Sequence, residues 1–342
     1  MILSVPAGSR RFAPLVAAVG SVLIPLTWLI LTQESQPEVA AVADGARDWL
    51  TARTPYLEDP QDLSQFRPYF PLTFLFGMPS SVFGLGGVGD PRIWLDLTLV
   101  GWLWPLYRGA GSDGRVKAAT LRSTWLLLSC PLVALELSVS SIDVPTIGLI
   151  ALAAYAYGRG HPSAAVALAC VSTLIKPTAI VVVLLISLVS LRVGGRRVGR
   201  RIGLAMLAMG ASGIALVMLS GLDRFLVNAI LFPADLATVP TPAKSPFPGV
   251  LIAAHLPHGH TIAIGVTAAY VAACLVFGFR RVDPSARGIL QAGAVALVGI
   301  YLLAPASRAG YLIVPLLLWW LARNCGERPV ACPRGSSRAT SP

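Results

Sequence analysis

Charge is what this chain has least of: only 13% of its 342 residues are Asp, Glu, Lys or Arg. Soluble domains carry about 25%, so the deficit excludes a soluble enzyme with a hydrated surface. The apolar runs are continuous and show no strand-type alternation, which excludes a closed β-barrel. No glycine-rich nucleotide-binding loop stands out, and there is no repeat of fixed period and no matched pair of broken apolar segments of the transporter type. The five cysteines, Cys130, Cys170, Cys274, Cys325 and Cys332, are scattered without a CxxC pair or metal spacing, and read as packing residues.

What the chain has is long apolar runs, with 55% hydrophobic residues and a mean hydropathy of +0.71. Several runs reach the roughly 20 residues that cross a bilayer core of about 30 Å. The expected fold is therefore all-α, a polytopic membrane helical bundle. The first run, 12–32, follows Arg10 and Arg11 and is longer than the apolar stretch of a signal peptide, so it reads as an uncleaved anchor. Further spans fall near 91–107, 119–140, 144–158, 162–175, 178–193, 202–221, 260–279, 287–304 and 309–322, about ten in all with the first.

The connections on one side carry 19 of the 27 basic residues and only Asp113, Asp283 and Glu327 of the 16 acidic ones. By the positive-inside rule that side is cytoplasmic and holds both termini. The alternation requires 69–85, interrupted by Pro71, Gly77 and Pro79, to be a re-entrant or interfacial segment rather than a full crossing. Residues 1–322 then form one transmembrane domain with outer loops 33–68 and 222–259, followed by a disordered basic cytoplasmic tail, 323–342.

Acid gathers on the outer side, where the first loop holds Glu34, Glu38, Asp44, Asp48, Glu58, Asp59 and Asp62. Asp96, Glu136 and Asp143 lie in or near the outer third of their helices. Lys176 stands between two apolar runs and precedes Pro177, which favours a break there. A buried ammonium needs an anionic partner such as a phosphate; the alternative is a lysine snorkelling from a helix end. Arg308, in APASRAGY, is another of the few outer cations, either a second phosphate ligand or a salt-bridge partner of an outer carboxylate. Val39, Val42, Ala46 and Leu50 have helical spacing, so a short helix leaving the first span presents Glu38 at the membrane surface. The second outer loop holds His255, His258 and His260, whose spacing permits a metal but lacks further ligands, leaving a general-base or acceptor-binding role.

The order of GARDWLTARTPY, PYFPL, SSIDVPTIGLIALAAYAYGRGHPSAAVALACVSTLIKPTAI and SRAGYLIVPLLL resembles the GT-C superfamily of integral membrane glycosyltransferases, specifically glycosyltransferase family 87, the actinobacterial mannosyltransferase-like enzymes. The likeness covers roughly 12–322. Pro55-Tyr56, Tyr69 to Pro71 and Lys176-Pro177 match the family pattern best. Where the family has an Asp and a Tyr four residues later, this chain has Glu38 and Val42, and Ala52 or Arg53 replaces the glycine before Pro-Tyr. Glu34 or Asp44 is the alternative carboxylate if the register differs.

The resemblance implies transfer of a sugar, mannose in the family, from a polyprenyl-phosphate donor to an envelope glycolipid or polysaccharide, with inversion, at the outer face of the plasma membrane. Together with the residues singled out above, this gives Glu38, with Asp44 and His260, as the catalytic candidates and Lys176 and Arg308 as the candidates for the donor phosphate. Tyr56, Tyr69, Asp143 and His258 are then expected to contact acceptor or sugar. No metal or other cofactor and no nucleic acid is expected. A transporter or flippase of a lipid-linked saccharide, or a non-catalytic subunit of an envelope assembly, would use the same cations without a base.

Overall fold

Residues 13–34, 36–98, 101, 122–139 and 141–324 are described by a computed structural model. Cys325, Cys332, Arg108, Arg115, Lys117, Asp113, Glu327 and the expected disordered tail beyond residue 324 lie outside them. Among the described residues the regular elements are helices, and the only β feature is an isolated bridge between Lys244 and Ser307.

Helices α1 (Ala13–Ala18) and α2 (Ile24–Leu31) are joined by a π-helical stretch, Val19–Leu23. Next comes α3, Pro37–Ala52, with Pro37 in its first turn, where a missing N–H costs nothing, and Glu38 beside the positive helix end. It stops at Arg53, which turns left-handed with φ 61°. Val39, Val42 and Ala46 are buried as their spacing predicts, whereas Leu50 is exposed together with the rest of the last turn, Thr51 to Arg53.

The segment after the first outer loop folds as a 3-10 helix, Pro71–Gly77, and α4, Met78–Phe83. Its 7 and 6 residues extend at most about 23 Å at 2.0 and 1.5 Å per residue, short of the bilayer core. It packs on α3 where glycine allows backbones to touch: a Cβ on Gly77 would lie 2.3 Å from the Val42 carbonyl. Tyr56 fills this outer core, edge-on to Phe74 at 5.6 Å and Phe225 at 5.8 Å.

Helix α5, Pro91–Leu97, starts the second apolar run, about half of which lies outside the described residues. The run expected as one span over 119–140 is instead bent by 71° between α6 (Arg122–Leu128) and α7 (Pro131–Val139). Pro131 explains the bend, since it has no N–H to continue the helix and displaces the preceding residue from helical geometry. Then follow α8 (Asp143–Gly158), α9 (Pro162–Thr173) and α10 (Ile180–Ser220). Gly195 interrupts α10 with φ 63° and ψ −166°. The chain folds back there, for the Ser187 hydroxyl lies 3.5 Å from the Met206 sulfur, while 19 residues of straight helix would cover about 28 Å. The expected spans 178–193 and 202–221 are therefore the two arms of a hairpin.

A four-residue helix, α11 (Leu222–Phe225), leads into the second outer loop, which contains α12, Pro248–His255. The chain ends in α13 (Gly259–Arg281), α14 (Ala286–Leu303) and α15 (Ile313–Asn324). Among the described residues three helical stretches are long and apolar enough to cross a membrane, 177–220, α13 and α14, and the bent α6–α7 pair makes a fourth. Helix α8, at 16 residues, matches the expected span 144–158, whereas α9 and α15, at 12 residues each, are shorter than expected because the break before Lys176-Pro177 and the 3-10 turn at Ala309–Leu312 cut the apolar runs.

The main core joins α7 to α10 with α14 and α15, and its α8–α9 contact is lined by fully buried Ala153, Ala165 and Ala169. Small side chains let helices approach closely where lipid provides no hydrophobic drive. Large apolar residues such as Leu207, Ile214 and Phe277 remain more than 60% exposed on the outside of the bundle, where acyl chains would cover them.

Candidate active site

Lys176 leaves helix α9 because the next residue is Pro177, which pushes it into an extended conformation at φ −131°, ψ 114°. Its side chain, 11% exposed, turns inward and pairs with Asp143 from the first turn of α8. The ammonium also lies over the ring of Tyr311, 4.4 Å from its centroid, and 5.7 Å from that of Tyr301. Tyr301 shares a 3.2 Å hydrogen bond with the Thr178 hydroxyl. A cation, an anion and two aromatic faces thus satisfy one another in a space that excludes most water.

Arg308, at the start of the 3-10 turn Ala309–Leu312, points to α3 and comes within 3.8 Å of Glu38. Burial raises the Glu38 carboxyl above its ordinary value and the nearby Asp143 adds to this, while Lys176 and Arg308 act against both. These two ion pairs open on one cavity of about 720 Å³, lined among others by Glu38, Asp44, Tyr69, Asp143, Lys176 and Arg308. Pro37, Ala40, Ala41 and Asp44 line it from one stripe of α3, with Glu38 at its edge, and Ala304, Ala306 and Tyr311 close the opposite wall.

Six of the nine residues expected from the sequence therefore meet in one place. Asp44 stands nearer the rim, held by Arg47 at 2.7 Å and Arg67 at 3.4 Å. The other three do not line the cavity. Tyr56 is 1% exposed in the outer core and donates a 2.8 Å hydrogen bond to the Tyr69 carbonyl, so it positions the segment bearing Tyr69. His258 is exposed at the start of α13 with φ 56°, and His260 lies 3.3 Å from Asp235. Among the described residues no three His, Cys, Asp or Glu side chains are grouped to hold a metal.

The sequence reading missed Tyr301, Tyr311 and Thr178. Tyr311 follows Arg308 by three residues in the quoted SRAGYLIV and was within reach of that motif; Tyr301, inside an apolar helix, carries no such signal.

The fold is similar to that of ArnT. The structure of ArnT from Cupriavidus metallidurans bound to undecaprenyl phosphate matches 93% of this chain with a TM-score of 0.57 and 16% identity, and the apo structure matches 91% with 0.56 and 17%. This chain covers 60% and 58% of the length of those two. No family model matches the chain, and neither does any curated protein. The likeness to ArnT is one of fold, an all-helical architecture as expected from the sequence; the apolar helices of this chain itself mark it as a membrane protein.

Proposed function

We propose that the chain is a GT-C membrane glycosyltransferase of the family 87 kind, which moves a sugar, mannose by the resemblance, from a polyprenyl phosphate to an envelope glycolipid or polysaccharide. The observation that carries this reading is the cavity in which a carboxylate on a surface helix faces two cations held by the bundle. Its support from outside is a fold similar to that of a protein solved with undecaprenyl phosphate. The about ten spans, the cytoplasmic termini and the outer placement of the cavity belong to the same proposal.

In this mechanism the acceptor hydroxyl gives its proton to Glu38 as its oxygen forms the bond to the anomeric carbon from the face opposite the phosphate. The bond from that carbon to the phosphate oxygen breaks, and the polyprenyl phosphate leaves with the electron pair. Lys176 and Arg308 neutralise the growing negative charge, as preorganised cations in a water-poor site do effectively. Asp143 holds Lys176 aimed before donor arrives, and Tyr69 and Asp44 contact sugar or acceptor. No metal is assigned a part.

The test is incubation of the purified chain in vesicles with radiolabelled polyprenyl-phosphate mannose and total envelope lipids. The reading requires label in a new glycosidic bond with inverted configuration. Movement of the labelled lipid across the vesicle with no new bond would instead mark a transporter.

A further inference from the structure

The end of the bundle away from the cavity carries a second concentration of charge. Helix α14 runs from Ala286 at that end to Leu303 beside the cavity, about 27 Å at 1.5 Å per residue. There Arg192, at the end of the first arm of α10, donates to the carbonyls of Phe279, at 2.9 Å, and Val282. It thereby caps α13 with the sign of charge that a helix C-terminus favours. Arg192 is thus accounted for by the protein itself.

The next four arginines are not. Arg196, Arg197, Arg200 and Arg201 follow the Gly195 reversal, in the first turns of the second arm of α10. All four are exposed. Among the described residues no carboxylate lies within ion-pair distance of any of them. They sit at the positive end of a helix, and 196 with 200 and 197 with 201 repel as like charges four residues apart. No carboxylate of the described residues offsets this repulsion, so an external anion would relieve it.

The surface beyond the arginines indicates which anion. Arg196, Arg200, Gly203, Leu207, Gly210, Ile214 and Met218 follow one another at helical spacing on one exposed face. Leu207, Ile214 and Met218 are 69%, 62% and 58% exposed. A Cβ on Gly203 or Gly210 would meet nothing within 4 Å, so the stripe is shallow at both. Cations at one end and an exposed apolar face after them match a phospholipid lengthwise, phosphate against guanidinium and acyl chain along the helix. A free phosphate would use only the first part. Arg280 and Arg281, exposed at the same end of the bundle, extend the basic rim.

We propose that the second arm of α10 binds an anionic phospholipid, its phosphate held by Arg196, Arg197, Arg200 and Arg201 and a chain lying over Gly203 to Ile214. The site is separate from the cavity and does not depend on the glycosyltransferase reading.

The test is thermal unfolding of the full chain in mixed micelles containing phosphatidylglycerol, phosphatidylcholine, or phosphatidylcholine with inorganic phosphate. Phosphatidylglycerol should raise Tm by several degrees over phosphatidylcholine, with inorganic phosphate adding nothing. A variant with all four arginines changed to Gln should lose that difference, and the milder Arg196→Gln/Arg200→Gln variant should lose most of it. Arg280→Gln/Arg281→Gln should keep most of it. The proposal is overturned if the wild type shows no difference, if the four-fold or two-fold variant keeps it in full, if inorganic phosphate reproduces it, or if changing Arg280 and Arg281 alone abolishes it.

Discussion

Lys176 and Asp143 form the ion pair that lines the cavity from the bundle side. Each is nearly buried and each is the other's counter-charge, so removing one leaves an uncompensated ion, at about 3–5 kcal/mol. Lys176→Met should therefore lower stability by that amount in denaturant titration, and Lys176→Met/Asp143→Leu should recover most of it, since an apolar pair of similar volume is near neutral. Both variants should bind polyprenyl phosphate about 10 to 150-fold more weakly, the loss of a charge-assisted contact of about 1.5–3 kcal/mol. Donor affinity restored in the double variant would show that Lys176 acts only on stability. Glu38 supplies a pH signature. A base must be ionised to work, so activity falls as pH drops through its pKa, and with the carboxyl raised above 4.5 the acid limb of kcat/KM should lie above that value. Arg308→Gln removes a cation that lowers this pKa, so the limb should move to higher pH; an unmoved limb would assign it to another group.

At the scale of elements, helix α3 carries Glu38 and Asp44 into the cavity and is set in place by the short segment after it. Gly77→Ala places a methyl 2.3 Å from the Val42 carbonyl, where backbone must yield. It should cost about 1–3 kcal/mol of stability by overpacking and lower kcat more than donor affinity, because α3 holds the base while Lys176 stands on other helices. Equal loss of both, read by titration and steady-state kinetics, would contradict that division. Helix α3 was legible in the sequence because Pro37, Glu38 and the Val39, Val42, Ala46 spacing all agree. The Lys176-Pro177 break was legible for the same reason, a single residue type with a strong local rule. Tyr56 was misplaced because a proline-tyrosine motif identifies the residue and not its orientation, and only the packing of Phe74 and Phe225 turns it into the outer core. His258 and His260 were selected by spacing alone, which does not say which wall of a loop faces a cavity. The bend at Pro131 and the reversal at Gly195 decide how apolar runs divide into helices, and hydropathy sums are blind to both.

Over the described residues, the two ends of the bundle differ in chemistry: paired acids and cations around a cavity at one end, and at the other a group of exposed arginines, Arg196, Arg197, Arg200 and Arg201. In the proposed topology, which follows the charge imbalance of the sequence, the arginine end faces the cytoplasm. Single cysteines at Arg197 and Asp59, in a chain with its native cysteines replaced by Ser, should react with an impermeant reagent from opposite sides of the membrane; labelling of both from one side would invalidate the proposed topology. The central functional claim is that sugar is transferred in the cavity with Glu38 taking the acceptor proton. The most direct measurement is a single turnover of chain preloaded with radiolabelled polyprenyl-phosphate mannose, started by adding acceptor lipid, for wild type and Glu38→Gln. The account predicts that both retain donor equally, that wild type converts it to an inverted glycoside, and that Glu38→Gln does so about 10²–10⁴-fold more slowly. Transfer by Glu38→Gln at the wild-type rate would contradict it.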